Sequence, residues 1–328
     1  MIDQLNIYGM TKLEVSIERI KQIEPRGGSW YLAFSGGKDS CVIKALCDMA
    51  GVKYDAHYRV SSVDPPELVR FIKEKHPDVS MDFPRYKDGS VITMWNLIPK
   101  KTMPPTRVVR YCCQYLKEDG GEGRDKITGV RWAESNRRRT KRSGLEIPHN
   151  KENEKLDPDN MDDDMVRYCM QSKGFILNPI IDWEDEDVWE FIHRYNIPYC
   201  ELYDKGFKRL GCIGCPMSAH RKEELEMYPK FKEAYIRAFD RMIKNQIGGG
   251  YAEEIGTQNN GWNGTQPSKR YITEPRKLYT EWVHDRLQSG RYNEMVATMK
   301  EVEGNGSIYT EYGTPKRWTL SNRPREDS

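Results

Sequence analysis

No run in the sequence approaches the roughly eighteen consecutive apolar residues that span a membrane. The opening MIDQLNIYGM also lacks the basic-then-apolar order of a secretory signal. Together these absences predict a cytoplasmic chain with no membrane partner. Charge of one sign is missing as well: 52 Lys and Arg face 50 Asp and Glu, a formal +2. That balance excludes a global nucleic-acid footprint, so any site for a polyanion has to be local. No internal repeat occurs. Eight cysteines without an export signal argue for reduced thiols, metal ligands or redox chemistry, not a disulfide framework. At 37% hydrophobic and 11% aromatic, 328 residues suffice for one large or two modest domains around a real core.

The chain is organised around residues 29–50, SWYLAFSGGKDSCVIKALCDMA. Trp30 to Phe34 reads as a buried strand, and Val42, Ile43, Leu46 and Met49 recur at helical spacing. Between them lies Ser35-Gly36-Gly37-Lys38-Asp39-Ser40. Adjacent glycines let backbone turn sharply and approach a ligand, and the following helix start points N–H groups and a positive dipole end at it. The arrangement is an anion cradle, with phosphate as the expected anion. It lacks the G-x-x-x-x-G-K-[ST] spacing of a Walker loop. The plain alternative is a strand-to-helix turn whose glycines serve geometry alone. Strand, SGGKDS and helix together resemble the PP-loop of the adenine-nucleotide α-hydrolase superfamily. The resemblance implies that backbone N–H groups from Ser35 to Ser40, with Asp39 in the loop, the two serine hydroxyls and Lys38, hold the pyrophosphate or sulfate end of a nucleotide.

In chain order, Thr11 to Glu14 forms a capping-box pattern ahead of an apolar face of Leu13, Ile17, Ile20 and Ile23. Tyr54 to Val60 reads as a second strand, Asp64-Pro65-Pro66 opens a helix to about Lys75, and Val79 to Phe83 is a third strand. Alternating strands and helices predict an α/β fold, a doubly wound parallel sheet with helices on both faces. Ligands of such sheets sit beyond the carboxyl ends of the strands, where SGGKDS lies. His57 and Arg59 end the second strand and could reach the same crevice, although a lone strand-end histidine is more often a structural hydrogen-bonder.

Cys112 and Cys113 are adjacent in MPPTRVVRYCCQYLK, and Cys212 and Cys215 form a C-x-x-C turn about a hundred residues on. Four thiolates can complete one metal or cluster site. A zinc knuckle with other partners, or plain buried cysteines, are the other readings. The CC…CxxC arrangement resembles the 4Fe–4S motif of assimilatory adenylyl-sulfate reductases and some sulfurtransferase relatives. Cys41 and Cys47 look like packing residues, and Cys169 and Cys200 are unassigned.

Lys126 to Arg131 predicts a further strand leading into GVRWAESNR, residues 129–137. Read alone it is a basic corner, since Arg138, Arg139, Lys141 and Arg142 follow at once, and such runs are usually solvated. In context it resembles the G-[VI]-R-x-x-E-S-x-x-R signature of the phosphoadenylyl-sulfate reductase family. The resemblance puts Gly129 beside the nucleotide, turns Arg131 and Arg137 toward its phosphate or sulfate, and has Glu134 orient an arginine or a metal. The extra run from Arg138 to Arg142 is a candidate contact for a larger polyanion. Residues 147–165 are polar and acidic, a loop or disordered insertion, in which a metal site at Asp162 to Asp164 is disfavoured. Phe175 to Ile181 predicts a strand, followed by a helix with acids in its first turn, and residues 178–217 resemble a second block of the same family. Helices are expected from Glu223 to about Asn245 and around Tyr279, Trp282, Val283 and Leu287. A linker is expected at 248–269, and an irregular tail at 304–328 with Tyr309, Tyr312, Lys316, Arg317 and Trp318 interleaved.

The expected division is a nucleotide-binding domain over 1–218 and a helical C-terminal region over 219–328. One departure from the family matters: its reductases carry a catalytic cysteine in a C-terminal E-C-G-[LI]-H segment, and no cysteine follows Cys215 here. The resemblance therefore implies an ATP pyrophosphatase of sulfur transfer, as in the DNA phosphorothioation members of the superfamily, using ATP, Mg2+ and a 4Fe–4S cluster. A cysteine desulfurase as sulfur donor and DNA or tRNA as acceptor are the partners it suggests. A thiol-dependent adenylyl-sulfate reductase and a nucleotide-sensing module are the alternatives.

Overall fold

A computed structural model describes residues 2–6, 9–25, 28–101, 103–118, 120–147, 154–160, 174–246 and 275–284. Asp162 to Asp164, Cys169, the 248–269 stretch, Leu287 and the tail aromatics lie outside those residues. Among the described residues the sheet has seven strands: β1 (Trp30–Ala33), β2 (Tyr54–Arg59), β3 (Ser80–Asp82), β4 (Lys126–Ile127), β5 (Leu145–Ile147), β6 (Glu154–Leu156) and β7 (Ile176–Leu177). They lie in the order β3-β2-β1-β4-β7-β5-β6. Five are parallel, with Ala33 opposite His57 and Tyr31 opposite Lys126, while β5 and β6 add an antiparallel edge.

Helix α1 (Lys12–Gln22) begins at the expected capping box: the Glu14 N–H donates to the Thr11 hydroxyl at 3.2 Å and the Thr11 N–H to the Glu14 carboxylate at 2.7 Å. Such a cap stabilises a helix by about 1 kcal/mol. Further along, buried Arg19 ties α1 to the region after β7, donating to the carbonyl of Pro179 at 2.8 Å and to Asp182 at 2.9 Å. Helices α2 (Lys38–Ala50) and α3 (Pro66–Lys75) follow β1 and β2. Their apolar faces join Trp30, Leu32, Phe34, Ile127 and Leu177 in the main core.

The sheet departs from expectation in two places. Strands expected over 126–131 and 175–181 each pair for two residues only, because the chain leaves the sheet at Thr128 and Asn178 to build the site. Part of the expected loop at 147–165 is strand β6, an edge strand whose polar sequence suits a solvated outer face.

A second apolar cluster lies beyond α4 (Met94–Lys100), where a helical turn α5 (Tyr111–Cys113) runs into a π-helical turn at Gln114–Glu118. The remaining helices are α6 (Asn136–Lys141), α7 (Asp185–Arg194), α8 (Arg221–Met227), α9 (Pro229–Gln246) and α10 (Pro275–Val283). The helix expected from Glu223 is broken at Tyr228 by Pro229, which starts α9. Trp282 of α10 packs on Tyr235 and Phe239 at ring-centroid distances of 4.8 and 5.4 Å, and its indole N–H donates to the Pro105 carbonyl at 2.6 Å. This cluster therefore joins α9 and α10 to residues 92–116, the segment that carries Cys112 and Cys113. No helix among the described residues is long and apolar enough to cross a membrane.

Behind the loop, His76 is buried between Phe34 and Phe71, with the Cys41 sulfur 3.9 Å from its Nε2. Burial, with Lys44 adding, pushes its pKa down from 6.5 to about 4. The unfolded ring takes up a proton below about 6.5 and the folded ring only near 4, so stability present above that window is lost as pH falls through it. Urea midpoints measured from pH 7 to 4 should fall for the parent chain and fall less for His76→Leu. Parallel curves would contradict the assignment.

Candidate functional site

The loop has the shape its glycines permit. Gly36 has φ +73°, and a Cβ there would lie 2.7 Å from Leu68 and 2.8 Å from Ile72 of α3. Gly37 is the N-cap of α2 and offers no side chain to cap it, so the first-turn donors are left to other partners. Ser35 donates to the Ser40 hydroxyl at 3.2 Å, and Ser40 donates to the Gly37 carbonyl at 2.8 Å. The Lys38 N–H donates to the Tyr203 hydroxyl at 2.9 Å. Tyr203 lies in the second family block and carried no expected role. A Cβ at Gly129 would lie 3.0 Å from the Asp39 backbone, so the exit of β4 packs directly on the start of α2.

Arg131 is expected on the nucleotide, and the structure places it behind the loop. Its side chain is 1% exposed. It donates to Asp39 at 2.7 Å, to Asp185 at 2.6 Å and to the Trp183 carbonyl at 3.1 Å. Lys38 joins the same network, 3.2 Å from Asp185 and 3.5 Å from Asp39. A guanidinium taken out of water has to be paired, and these carboxylates do so. Burial opposes the charge on Asp185, but Arg131 and Lys38 outweigh it and hold the carboxyl below its usual range. Thus neither Lys38 nor Arg131 presents a free cation to the cradle. Arg131 acts there as a positioning residue that fixes Asp39. Asp185, whose acidic neighbours suggested only a helix start, is the hub that sequence reasoning missed.

Glu134 accepts from the Arg131 N–H at 3.2 Å and pairs with the Arg138 guanidinium. Arg137 is exposed on α6. Within the basic run, Arg142 donates to buried Glu146 at 2.5 Å, while Arg139 and Lys141 are exposed. Burial, then the nearby charges of Arg209 and Arg142, lower the pKa of Arg138 to about 10. Gathered guanidiniums beside the loop make this the local positive region that the overall charge left open.

The four candidate cysteine ligands share one neighbourhood. Cys112 is hydrogen-bonded to Cys113 and feels the charges of Cys212 and Cys215. The Arg110 guanidinium donates to the Cys113 sulfur at 3.3 Å. The hydrogen bond from Cys112, with Arg110 adding against burial, pulls the Cys113 thiol below its ordinary range. Burial pushes Cys212 up to about 11, against the pull of Lys117. Gly214, at φ +72°, closes the C-x-x-C turn, and the Tyr235 hydroxyl donates to the Ile213 carbonyl at 3.0 Å. Among the described residues no three His, Cys, Asp or Glu side chains stand in metal-binding geometry. The donor chemistry, four soft sulfurs on two segments with cations alongside, nevertheless fits an iron–sulfur centre.

Between loop and thiols lies a cavity of about 210 Å³, walled by Tyr31, Ser35, His57, Arg59, Lys117 and Gly211, among others. Lys117 stands 3.4 Å from Asp64, which also accepts from the Tyr58 hydroxyl and, at 3.1 Å, from the Ser61 N–H. The Cys212 sulfur is 3.9 Å from Asp64. His57 and Arg59, expected at a strand end within reach of the crevice, line the same cavity as Ser35 of the loop.

A family profile of the phosphoadenosine phosphosulfate reductase domain matches residues 29–218. Among curated proteins, the chain is 26% identical over 230 residues to the uncharacterized protein MJ0973 of Methanocaldococcus jannaschii, covering 68% of this chain and 48% of that one. It is 40% identical over 47 residues to an adenosine 5'-phosphosulfate reductase of Anoxybacillus flavithermus, covering 14% of this chain and 20% of the relative. The chain thus spans about half or less of these relatives' length. The structure of phosphoadenylyl-sulfate (PAPS) reductase from Candida auris, a phosphate complex, aligns with TM-score 0.39 at 15% identity, over 64% of this chain and 96% of that one. The profile runs from the residue before β1, through the loop and the arginine block, to just past the C-x-x-C turn, and on that match over more than half its length the chain belongs to the phosphoadenosine phosphosulfate reductase domain family.

Proposed function

We propose that the chain is an ATP pyrophosphatase of sulfur transfer, acting on nucleic acid. The observation that carries the reading is the loop at Gly36, where the Leu68 and Ile72 side chains leave no room for a Cβ, leading into a first turn of α2 that Gly37 leaves without a side-chain cap. Donors fixed there stabilise charge on departing pyrophosphate without reorganising. Mg2+ would accompany the phosphates and offset their charge. An acceptor oxygen forms a bond to the α-phosphorus as the bond to the pyrophosphate oxygen breaks. A persulfide sulfur from a donor such as a cysteine desulfurase then displaces AMP, and an external thiol reduces the S–S bond left behind. Exposed Arg137, Arg139 and Lys141 meet the acceptor's phosphates, with Arg138 and Arg142 behind them. Cys112, Cys113, Cys212 and Cys215 would hold the 4Fe–4S cluster, which when bound would supply a thiolate-ligated centre for electrons or sulfide. Adenylyl-sulfate reduction by an outside thiol is the second reading, favoured by the names of the curated relatives, while the residues after Cys215 offer no thiol for it.

Product analysis tests the reading. ATP should give AMP and pyrophosphate, slowly without acceptor, and neither sulfated nucleotide should release sulfite with thiol present. ADP and phosphate, or robust thiol-dependent sulfite, would refute it. For the cysteines, anaerobically prepared protein should be brown and contain iron, and Ser at Cys112, Cys113, Cys212 or Cys215 should remove most of both. One zinc and no iron per chain would replace the cluster with a zinc site.

A further inference from the structure

The loop's own side chains leave little to meet an anion. The two serine hydroxyls, expected on the phosphates, turn their protons inward: Ser35 to the Ser40 hydroxyl at 3.2 Å and Ser40 to the Gly37 carbonyl at 2.8 Å. Lys38 is turned to Asp185 and Asp39. Even the Gly37 N–H points at the Ser35 oxygen, 3.4 Å away. Another hydroxyl stands at the cradle, and it comes from outside the loop. The Tyr203 oxygen accepts from the Lys38 N–H at 2.9 Å, and a Cβ at Gly37 would lie 3.5 Å from it.

A phenol hydroxyl can accept and donate at once. Here its acceptance is in use, and among the described residues it donates to nothing. Its proton therefore sits beside the first turn of α2 without an acceptor. Burial, against the pull of the Lys38 N–H, raises the pKa of Tyr203 above the ordinary tyrosine value, so the proton stays on at neutral pH. A donor behind an oxygen strengthens the O–H in front of it, and the Lys38 N–H, at the first residue of α2, is such a donor.

The ring is fixed as well. Trp189 of α7 meets it edge to face at 5.2 Å and 84°, and Tyr199 lies 6.4 Å away at 65°. Its backbone is held by turn hydrogen bonds, the Tyr203 N–H donating to Cys200 at 3.1 Å and the Gly206 N–H to the Tyr203 carbonyl at 3.0 Å. Pushing the tyrosine off Lys38 would cost these contacts, so an anion entering the loop meets the hydroxyl in place. The partner that suits such a proton is an oxygen that only accepts. A phosphate oxygen does so and carries charge, which makes the bond a strong one.

We propose that the Tyr203 hydroxyl, held by the Lys38 N–H, donates to the phosphate bound in the loop and serves as its side-chain anchor. The inference rests on the nucleotide reading of the loop. It gives the second family block a part in the phosphate site: the loop after β1 supplies backbone donors, and the segment after α7 supplies the hydroxyl.

Tyr203→Phe removes the hydroxyl and keeps the ring. Calorimetric titration of the full chain with pyrophosphate, ATP and AMP compares parent and variant, with urea midpoints as the check on folding. Pyrophosphate and ATP should each bind Tyr203→Phe about tenfold or more weaker, the order expected for one hydrogen bond to a charged group. AMP, which lacks the pyrophosphate, should bind both alike. Trp189→Leu leaves the hydroxyl but takes a wall from its ring; it should show the same selective loss, smaller, and decides alone if Tyr203→Phe does not fold. An equal loss for AMP would reduce Tyr203 to a structural role, and unchanged affinities would show that the hydroxyl never meets the phosphate. Tighter pyrophosphate binding by Tyr203→Phe would mean that the hydroxyl competes with the anion for the Lys38 N–H. Any of these three results overturns the proposal and leaves the loop reading standing. A parent that binds neither ATP nor pyrophosphate would overturn the loop reading, and the anchor with it.

Discussion

Gly36→Val is expected to reduce ATP affinity by at least about a hundredfold. The substitution places a β-branched residue at φ +73° with its Cβ 2.7 Å from Leu68. Backbone strain of that kind costs about 1–3 kcal/mol and overpacking another 1–3 kcal/mol. The loop can relieve both only by lifting from α3, which turns the donors of residues 36–40 away from the phosphates. Calorimetric titration with ATP, read beside urea unfolding, separates lost binding from lost stability. ATP affinity equal to the parent's would show that the cradle lies elsewhere.

Arg131→Leu is expected to act first on stability, by about 2–4 kcal/mol, because it strips a buried partner from Asp39 and Asp185. Arg131→Lys should rescue little, since one ammonium cannot span two carboxylates and the Trp183 carbonyl. Arg137→Ala, at an exposed position on α6, should leave stability within about 0.5 kcal/mol. Urea midpoints for the three variants check the contrast. An Arg131→Leu chain as stable as the parent, with only turnover lost, would place the guanidinium on the substrate instead.

The loop was legible because its signal is local: a buried strand, two glycines and an amphipathic helix within residues 29–50. The α1 cap was legible for the same reason. The role of Arg131 was not, because its partners Asp39 and Asp185 lie 92 and 54 residues away in the chain. A basic residue near a phosphate loop reads as a phosphate ligand until its carboxylates are found. Hydrophobic pattern overextended the strands at 126–131 and 175–181, since it marks burial and not ladder pairing; there the backbone turns off the sheet to pack Gly129 on Asp39. Strand β6 was hidden by Glu154 and Lys155, residues an edge strand can afford.

The most direct test of the account is a crystal structure of the chain with Mg2+ and an ATP analogue that cannot be cleaved between the α and β phosphates. The β- and γ-phosphates should lie on the loop at residues 35–40 and the start of α2. Phosphates bound away from Ser35 to Ser40, or a loop left empty at saturating analogue, would contradict it.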